Sequence, residues 1–258
     1  MLLFLFIFGS FIGSFLGVLI DRLPRNETVI KGRSYCEYCK KELQWFELIP
    51  LISFVFLRGR CRSCHHKISW YYPITELTTG VLFAFTYFSL VSNGVFNQQL
   101  ILELVYFLLI VSSLIVIFFS DLRYGIIPDK VLLPVLILTF LHLFFFRQQD
   151  ILANLFSGAG AFTFFLLLVV VTRGKGMGMG DVKYALFMGL LLGFPQIIAG
   201  FYVAFLTGAF VSIILILWRK KSFLKGTISF GPFLVLGTLI SIFWGNFLWQ
   251  EALRILGI

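Results

Sequence analysis

Charge is scarce in this chain. Only 13% of its 258 residues are Asp, Glu, Lys or Arg, and 59% are hydrophobic. A soluble domain carries about a quarter charged residues, so this composition excludes an ordinary water-soluble enzyme. Acidic residues number twelve and histidines three. No H-E-x-x-H occurs, which removes the familiar helix-borne zinc protease. No cysteine stands outside positions 36–64, so scattered disulfides are excluded. Neither an internal repeat nor a low-complexity linker is visible. Residues 1–20 carry no charge and lack both a basic n-region and an A-x-A cleavage site. They read as a retained first span rather than a signal peptide.

What is present is a series of apolar runs, each near the roughly 20 residues needed to cross a bilayer. After residues 1–20 comes the only long polar segment, 21–72, with ten of the 21 basic residues and all four cysteines. Pro73 opens a second span, in the N1 position that proline favours. Further spans follow at about 100–119, 131–146 and 151–172. Residues 184–218 are uncharged, and as one helix they would be about 52 Å long. Gly193 and Pro195 divide them into a short sixth span and a seventh. The eighth occupies about 227–250. Polar or basic turns lie at 92–99, 120–130, 147–150, 173–181 and 219–225. The expected architecture is all-α and polytopic, with about eight transmembrane helices. A small module, 21–72, separates helix 1 (residues 1–20) from a helical core, 73–258.

The net charge of +9 follows the positive-inside rule rather than marking a nucleic-acid partner. If the segment 21–72 is cytoplasmic, 19 of the 21 Lys/Arg lie inside and only Arg147 and Arg254 outside. Reading 184–218 as one span would move Arg219, Lys220, Lys221 and Lys225 outside. The split reading therefore stands, with both termini outside.

The cysteines form Cys36-x-x-Cys39, 21 intervening residues, then Cys61-x-x-Cys64. Two such knuckles read as a structural four-thiolate zinc site in a ribbon-like loop, because each supplies two sulfurs to one tetrahedron. A reducing cytoplasm disfavours disulfides. The competing reading is a pair of free or redox-active motifs, and His65 and His66 are alternative ligands.

Asp121 and Asp181 follow the third and fifth spans, so both emerge on the same face at the membrane edge. A carboxylate there is costly and becomes a functional candidate. Asp121 could instead be a helix end paired with Arg123. The run Gly176-Met177-Gly178-Met179-Gly180 before Asp181 could be a flexible connector. Together on one face, the two aspartates suggest one site: close carboxylates share a proton, and one serves as general base on a water while the other serves as acid. Around them, Asp129 reads as the N-cap of the fourth span. Asp21 reads as an interfacial residue paired beside Arg22, and Lys183 either pairs with an acidic group or snorkels. Glu76 and Glu103 pair polar groups between helices, and His142 packs.

These residues resemble the type IV prepilin peptidases, related to the GxGD membrane aspartyl proteases. Gly13-Ser14-Phe15-Leu16 through Arg22-Leu23-Pro24 is similar to the family's N-terminal signature. Gly32-Arg33-Ser34-Tyr35-Cys36, Trp45-Phe46-Glu47-Leu48-Ile49-Pro50, Arg58-Gly59-Arg60-Cys61 and Ile68-Ser69-Trp70 through Glu76 match its loop. Asp121-Leu122-Arg123 with Ile127-Pro128-Asp129 resembles the first catalytic motif. Gly178-Met179-Gly180-Asp181-Val182-Lys183 resembles the second, and Phe230-Gly231-Pro232-Phe233 a late one. Gly17 stands where the signature usually has Asn, and His65 where the second knuckle usually ends in Gly.

The resemblance implies a membrane aspartic endopeptidase of the bacterial inner membrane. It would cut prepilin-like leaders after a glycine on the cytoplasmic side, with Asp121 and Asp181 as its catalytic pair. It also implies N-methylation of the new amino terminus with S-adenosylmethionine where that activity is present, without naming its residues. Expected partners are prepilins or pseudopilins with a basic leader and a hydrophobic helix, and membrane lipid, with no nucleic acid. The roles open to such an enzyme are pilus assembly, protein secretion and competence. The competing classes are a proton-coupled transporter, which places its carboxylates near the midplane, and a non-catalytic pilus or secretion assembly subunit.

Overall fold

The computed structural model describes residues 1–25, 27–28, 33–92, 98–174, 176–217 and 229–256. The basic loop at 219–225 and most of the turn at 92–99 lie outside them. The described residues form nine α-helices, α1 Leu2–Arg22, α2 Ile52–Phe56, α3 Tyr71–Ser92, α4 Gln98–Tyr124, α5 Asp129–Phe146, α6 Ile151–Val171, α7 Met179–Leu192, α8 Gln196–Leu217 and α9 Gly231–Leu256. No β-strand is found among the described residues. The chain divides into two compact units, Met1–Val116 and Ile117–Ile258.

Seven of these helices are long and apolar enough to cross a bilayer, so the protein is a multi-pass membrane protein. The expected sixth span, α7, has only 14 residues, about 21 Å at 1.5 Å per residue. Val182, Tyr184, Ala185, Phe187 and Met188 of α7 are fully buried. A helix enclosed by protein need not match the thickness of lipid, and this permits its shortness. It ends where the sequence suggested, at Gly193, whose φ of +67° suits a residue without a Cβ.

In the first unit α1 and α3 pack closely. Gly9, Gly13 and Gly17 recur at four-residue intervals, the small-residue spacing that lets membrane helices approach. A Cβ at Gly13 would lie 2.7 Å from the Glu76 Cα. In the second unit α7 runs antiparallel to α6. Gly189 abuts the Gly158 backbone, and Asn154 donates to the Leu190 carbonyl at 2.9 Å. The Tyr184 and Thr238 hydroxyls, 2.8 Å apart, join α7 to α9.

Candidate active site and metal site

Two expectations change, the extent of the turn after the third span and the role of Asp129. The polar turn foreseen at 120–130 is shorter, because α4 continues through Asp121 to Tyr124 and only 125–128 link it to α5. Asp129 does not cap α5. It is the first helical residue and Pro128 holds the cap position. Its carboxylate instead takes Lys183 Nζ at 2.9 and 2.8 Å. Asp21 accepts from the Tyr72 hydroxyl at 2.8 Å, while Arg22 donates to the carbonyls of Thr28 and Arg33. Arg123 lies over the Tyr124 ring, 5.3 Å from its centroid. Glu76 does join polar groups, accepting from the Leu51 amide at 2.7 Å and from Ser14. His142 packs on Phe146, with ring centroids 5.4 Å apart.

Asp121 and Asp181 are the two buried carboxylates among the described residues of the second unit, 4% and 7% exposed. Asp121 sits one turn before the end of α4. It accepts from the Ser229 hydroxyl and from the Gly231 amide, the first residue of α9. Asp181 sits in the first turn of α7 and accepts from the Gly178 amide at 3.0 Å. Each carboxylate therefore meets the positive end of a helix, where exposed N–H groups favour negative charge.

Two glycines bring the aspartates together. A Cβ at Gly180 would meet the Ile127 Cβ at 3.3 Å, so the α7 start packs against the loop that follows Asp121. A Cβ at Gly231 would fall on Asp121 Oδ2, with Ile127 Cδ1 only 3.3 Å away. Ile127 thus touches both sides of the site, and the charge on Asp121 acts on Asp181. The start of α5 joins through Asp129 and Lys183. Gly189 pairs with Gly158, so Asp181 is level with about residue 166 of α6, roughly 7 Å short of the helix end at Val171. The pair lies recessed but near the helix termini.

Sequence reasoning missed Ser229 and the role of Gly231. The run Phe230-Gly231-Pro232-Phe233 marked the place, but its contact with Asp121 is separated by more than a hundred residues of chain.

The four cysteines meet in the loop between α1 and α3. Their Sγ atoms lie within 4.8 Å of one another, and Cys36 and Cys64 are 3.8 Å apart. A tetrahedron with metal–sulfur bonds of about 2.3 Å has edges of about 3.8 Å, so the residues fit a metal ion. The Cys64 and Ser63 amides draw the Cys61 thiol down to about 7. The His66 amide favours the Cys64 thiolate, but burial and the sulfurs of Cys39, Cys61 and Cys36 push that thiol up to about 12. His66 stacks on Tyr38 with centroids 4.3 Å apart, and neither histidine joins the sulfur cluster.

The knuckles form one hairpin used twice, a repeat that the sequence concealed. Cys36 N–H donates to the Lys41 carbonyl and Cys61 N–H to that of His66, both at 2.9 Å. Bridges pair Tyr35 with Glu42 and Arg60 with Lys67. Lys40 and His65 share positive φ, 58° and 53°. Every equivalence is offset by 25 residues. The turn requires a left-handed residue, and this is the reason a glycine suits the position of His65.

Residues 7–90 match the bacterial peptidase A24 N-terminal domain, and residues 108–213 match the type IV leader peptidase family. The chain is 31% identical to the prepilin leader peptidase/N-methyltransferase of Bacillus subtilis, covering 95% of each. It is 30% identical to that of Aeromonas hydrophila over 93% of this chain and 90% of the relative. The Pseudomonas aeruginosa protein of the same name is 28% identical over 96% and 92%. No solved structure matches. The fold and the matches define a multi-pass membrane peptidase. The chain belongs to the type IV leader peptidase family, whose members process prepilin-like proteins.

Proposed function

We propose that this protein cuts the leaders of prepilin-like substrates after a glycine, at the cytoplasmic face of the bacterial inner membrane, with Asp121 and Asp181 as the catalytic pair. The observation that carries this reading is the meeting of two buried carboxylates at the starts of α7 and α9. One carboxylate, ionised, takes a proton from a water that attacks the scissile carbonyl carbon. The other, protonated, gives its proton to the carbonyl oxygen. The tetrahedral species then collapses, the carbon–nitrogen bond breaks, and the amine leaves with a proton from the pair. No covalent enzyme intermediate is needed. The substrate's hydrophobic helix would lie in the bilayer with its basic leader at the surface, presenting the scissile bond near the helix termini. The recess of Asp181 by about a turn and a half suits that depth, whereas a transporter places its carboxylates near the midplane.

Purified protein in detergent should therefore cleave a synthetic prepilin-like peptide after its glycine without ATP or an ion gradient. A preparation that binds the peptide and leaves it intact would point to the assembly-subunit reading.

Gly180→Val tests how the pair is assembled. The added side chain must displace Ile127, so cleavage should fall by at least about tenfold while the protein remains in the membrane. The loss is in alignment, and small misplacements of reacting groups cost about 10²-fold. Full activity measured with the same peptide would reduce the glycine run to a linker.

The cysteine cluster is proposed to hold one structural zinc, because four sulfurs leave no open position for catalysis. Replacing Cys36 and Cys39 together by Ser should abolish zinc content, measured by elemental analysis. The loop should become protease-sensitive, while peptide cleavage survives in part. Zinc retention should also weaken as pH falls, because each thiol must lose its proton to bind. Intact zinc in the double variant would refute the ligand set. N-methylation of the new amino terminus is proposed as a second activity. S-adenosylmethionine would supply the methyl group, and no described residue is assigned to hold it.

A further inference from the structure

The loop between the first two spans is polar except for one run. From Ile49 to Leu57 only Ser53 is polar, and this run contains α2. Ile52, Val55 and Phe56 fall at i, i+3 and i+4 and share a face. All three are exposed, Phe56 at 83%. A solvated loop gains nothing from such a face, so its surroundings decide its meaning.

The tether described above fixes its depth. Leu51, the residue before α2, is bonded through its amide to Glu76, and Glu76 to Ser14 of α1. Ser14 lies eight residues, about 12 Å, before the end of α1 at Arg22. The Glu76 side chain leans toward the start of α3, yet the Leu51 amide still falls below the level at which α1 ends. α2 therefore begins beside a membrane-crossing pair, not above it.

An exposed apolar stripe of α3 reaches α2 at Phe54. Trp70, Ile74, Leu77 and Val81 recur at i, i+4, i+7 and i+11 and are all exposed. Trp70 heads this stripe and meets the Phe54 ring edge-on, with centroids 5.0 Å apart. Arg58, Arg60 and Arg62 follow α2 directly. Apolar residues with tryptophan and arginine beside them form the pattern of a segment seated at a bilayer surface.

We propose that α2 dips into the same bilayer that α1 and α3 cross, with Ile52, Val55, Phe56 and Trp70 buried among lipid headgroups and upper acyl chains. Arg58, Arg60 and Arg62 face anionic headgroups. The dip tethers the metal-binding loop to the membrane at its α2 end. This inference is independent of the catalytic assignment, because its test involves no cleavage.

The test uses the full chain in nanodiscs of mixed phosphatidylglycerol and phosphatidylcholine, with no peptide present. Phe56→p-benzoylphenylalanine is irradiated and its adducts are read by mass spectrometry. The same probe at Leu77 of α3 serves as lipid-facing reference, and at Tyr38 on the first knuckle as the contrast. Lipid adducts at Phe56 should approach those at Leu77 and exceed those at Tyr38 by roughly tenfold. Equal labelling at Phe56 and Tyr38, adducts to water alone, or capture of a second copy of the chain at Phe56 would each overturn the proposal. If the Phe56 variant loses its metal or fails to fold, the unsubstituted aromatics decide. Trp70→Phe should remove a component of the emission that is quenched by lipids brominated near the headgroup. Quenching unchanged from the parent protein overturns the dip.

Discussion

Asp121→Asn and Asp181→Asn should each reduce leader-peptide cleavage to background while leaving helix content and metal content near those of the parent. Asn keeps the size of Asp and can still accept from the Gly231 and Gly178 amides, so the two helix starts remain satisfied. What is lost is the proton. General acid–base groups contribute about 10²–10⁴-fold each, so a large drop is expected from either change. The double variant should be hardly worse than either single, because groups that act as one unit are strongly non-additive. Asp129→Asn is the informative contrast. Its carboxylate is half exposed and pairs with Lys183 at 2.8 Å, and exposed pairs contribute about 0–1 kcal/mol. Its effect should stay within a few-fold. Single-turnover cleavage of one peptide by all four proteins makes the comparison. A dead Asp129→Asn beside an active Asp121→Asn would move the first catalytic role to Asp129, and normal cleavage by all would remove the aspartyl mechanism.

Gly231→Ala should be nearly as severe, although the glycine has no side chain to react. Its Cβ would occupy the position of Asp121 Oδ2, so the carboxylate must swing away or the start of α9 must retreat. Either response breaks the hydrogen bonds from Ser229 and Gly231 and shifts the aspartate relative to Asp181. A loss of about 10²-fold or more is expected from such misplacement, with substrate binding less affected than turnover. Ser229→Ala, which removes one hydrogen bond and adds no bulk, should be milder. Gly160→Ala is the matched control, since a Cβ there meets nothing within 4 Å. In a helix that change is worth under about 1 kcal/mol and favours the folded protein. Wild-type turnover in Gly231→Ala would mean that Asp121 does not need the geometry the structure gives it.

Much of this protein was legible in its sequence, because the signals were local. Apolar runs bounded by charge gave the helices. The Gly193 and Pro195 break separated α7 from α8, since Gly193 takes a positive φ at the end of α7 and a proline shortly after a helix end cannot continue it. The C-x-x-C spacing gave the four sulfurs, since each pair converges within one turn of chain. The aspartates stood out because carboxylates are rare in so apolar a chain.

What the tertiary structure decided depends on contacts between distant segments. That α7 can be 14 residues long follows from its enclosure by neighbouring helices, which no composition of its own could reveal. Asp129 looked like a cap because it precedes an apolar run, but Lys183, 54 residues away, takes its carboxylate instead. The repeated hairpin of the knuckles was hidden because its likeness lies in backbone hydrogen bonds and left-handed turns, which Lys40 and His65 adopt with dissimilar side chains. Ser229 and Gly231 carry no chemical label in the sequence. They matter because the start of α9 is brought against the end of α4, where the absence of a Cβ leaves room for the Asp121 carboxylate.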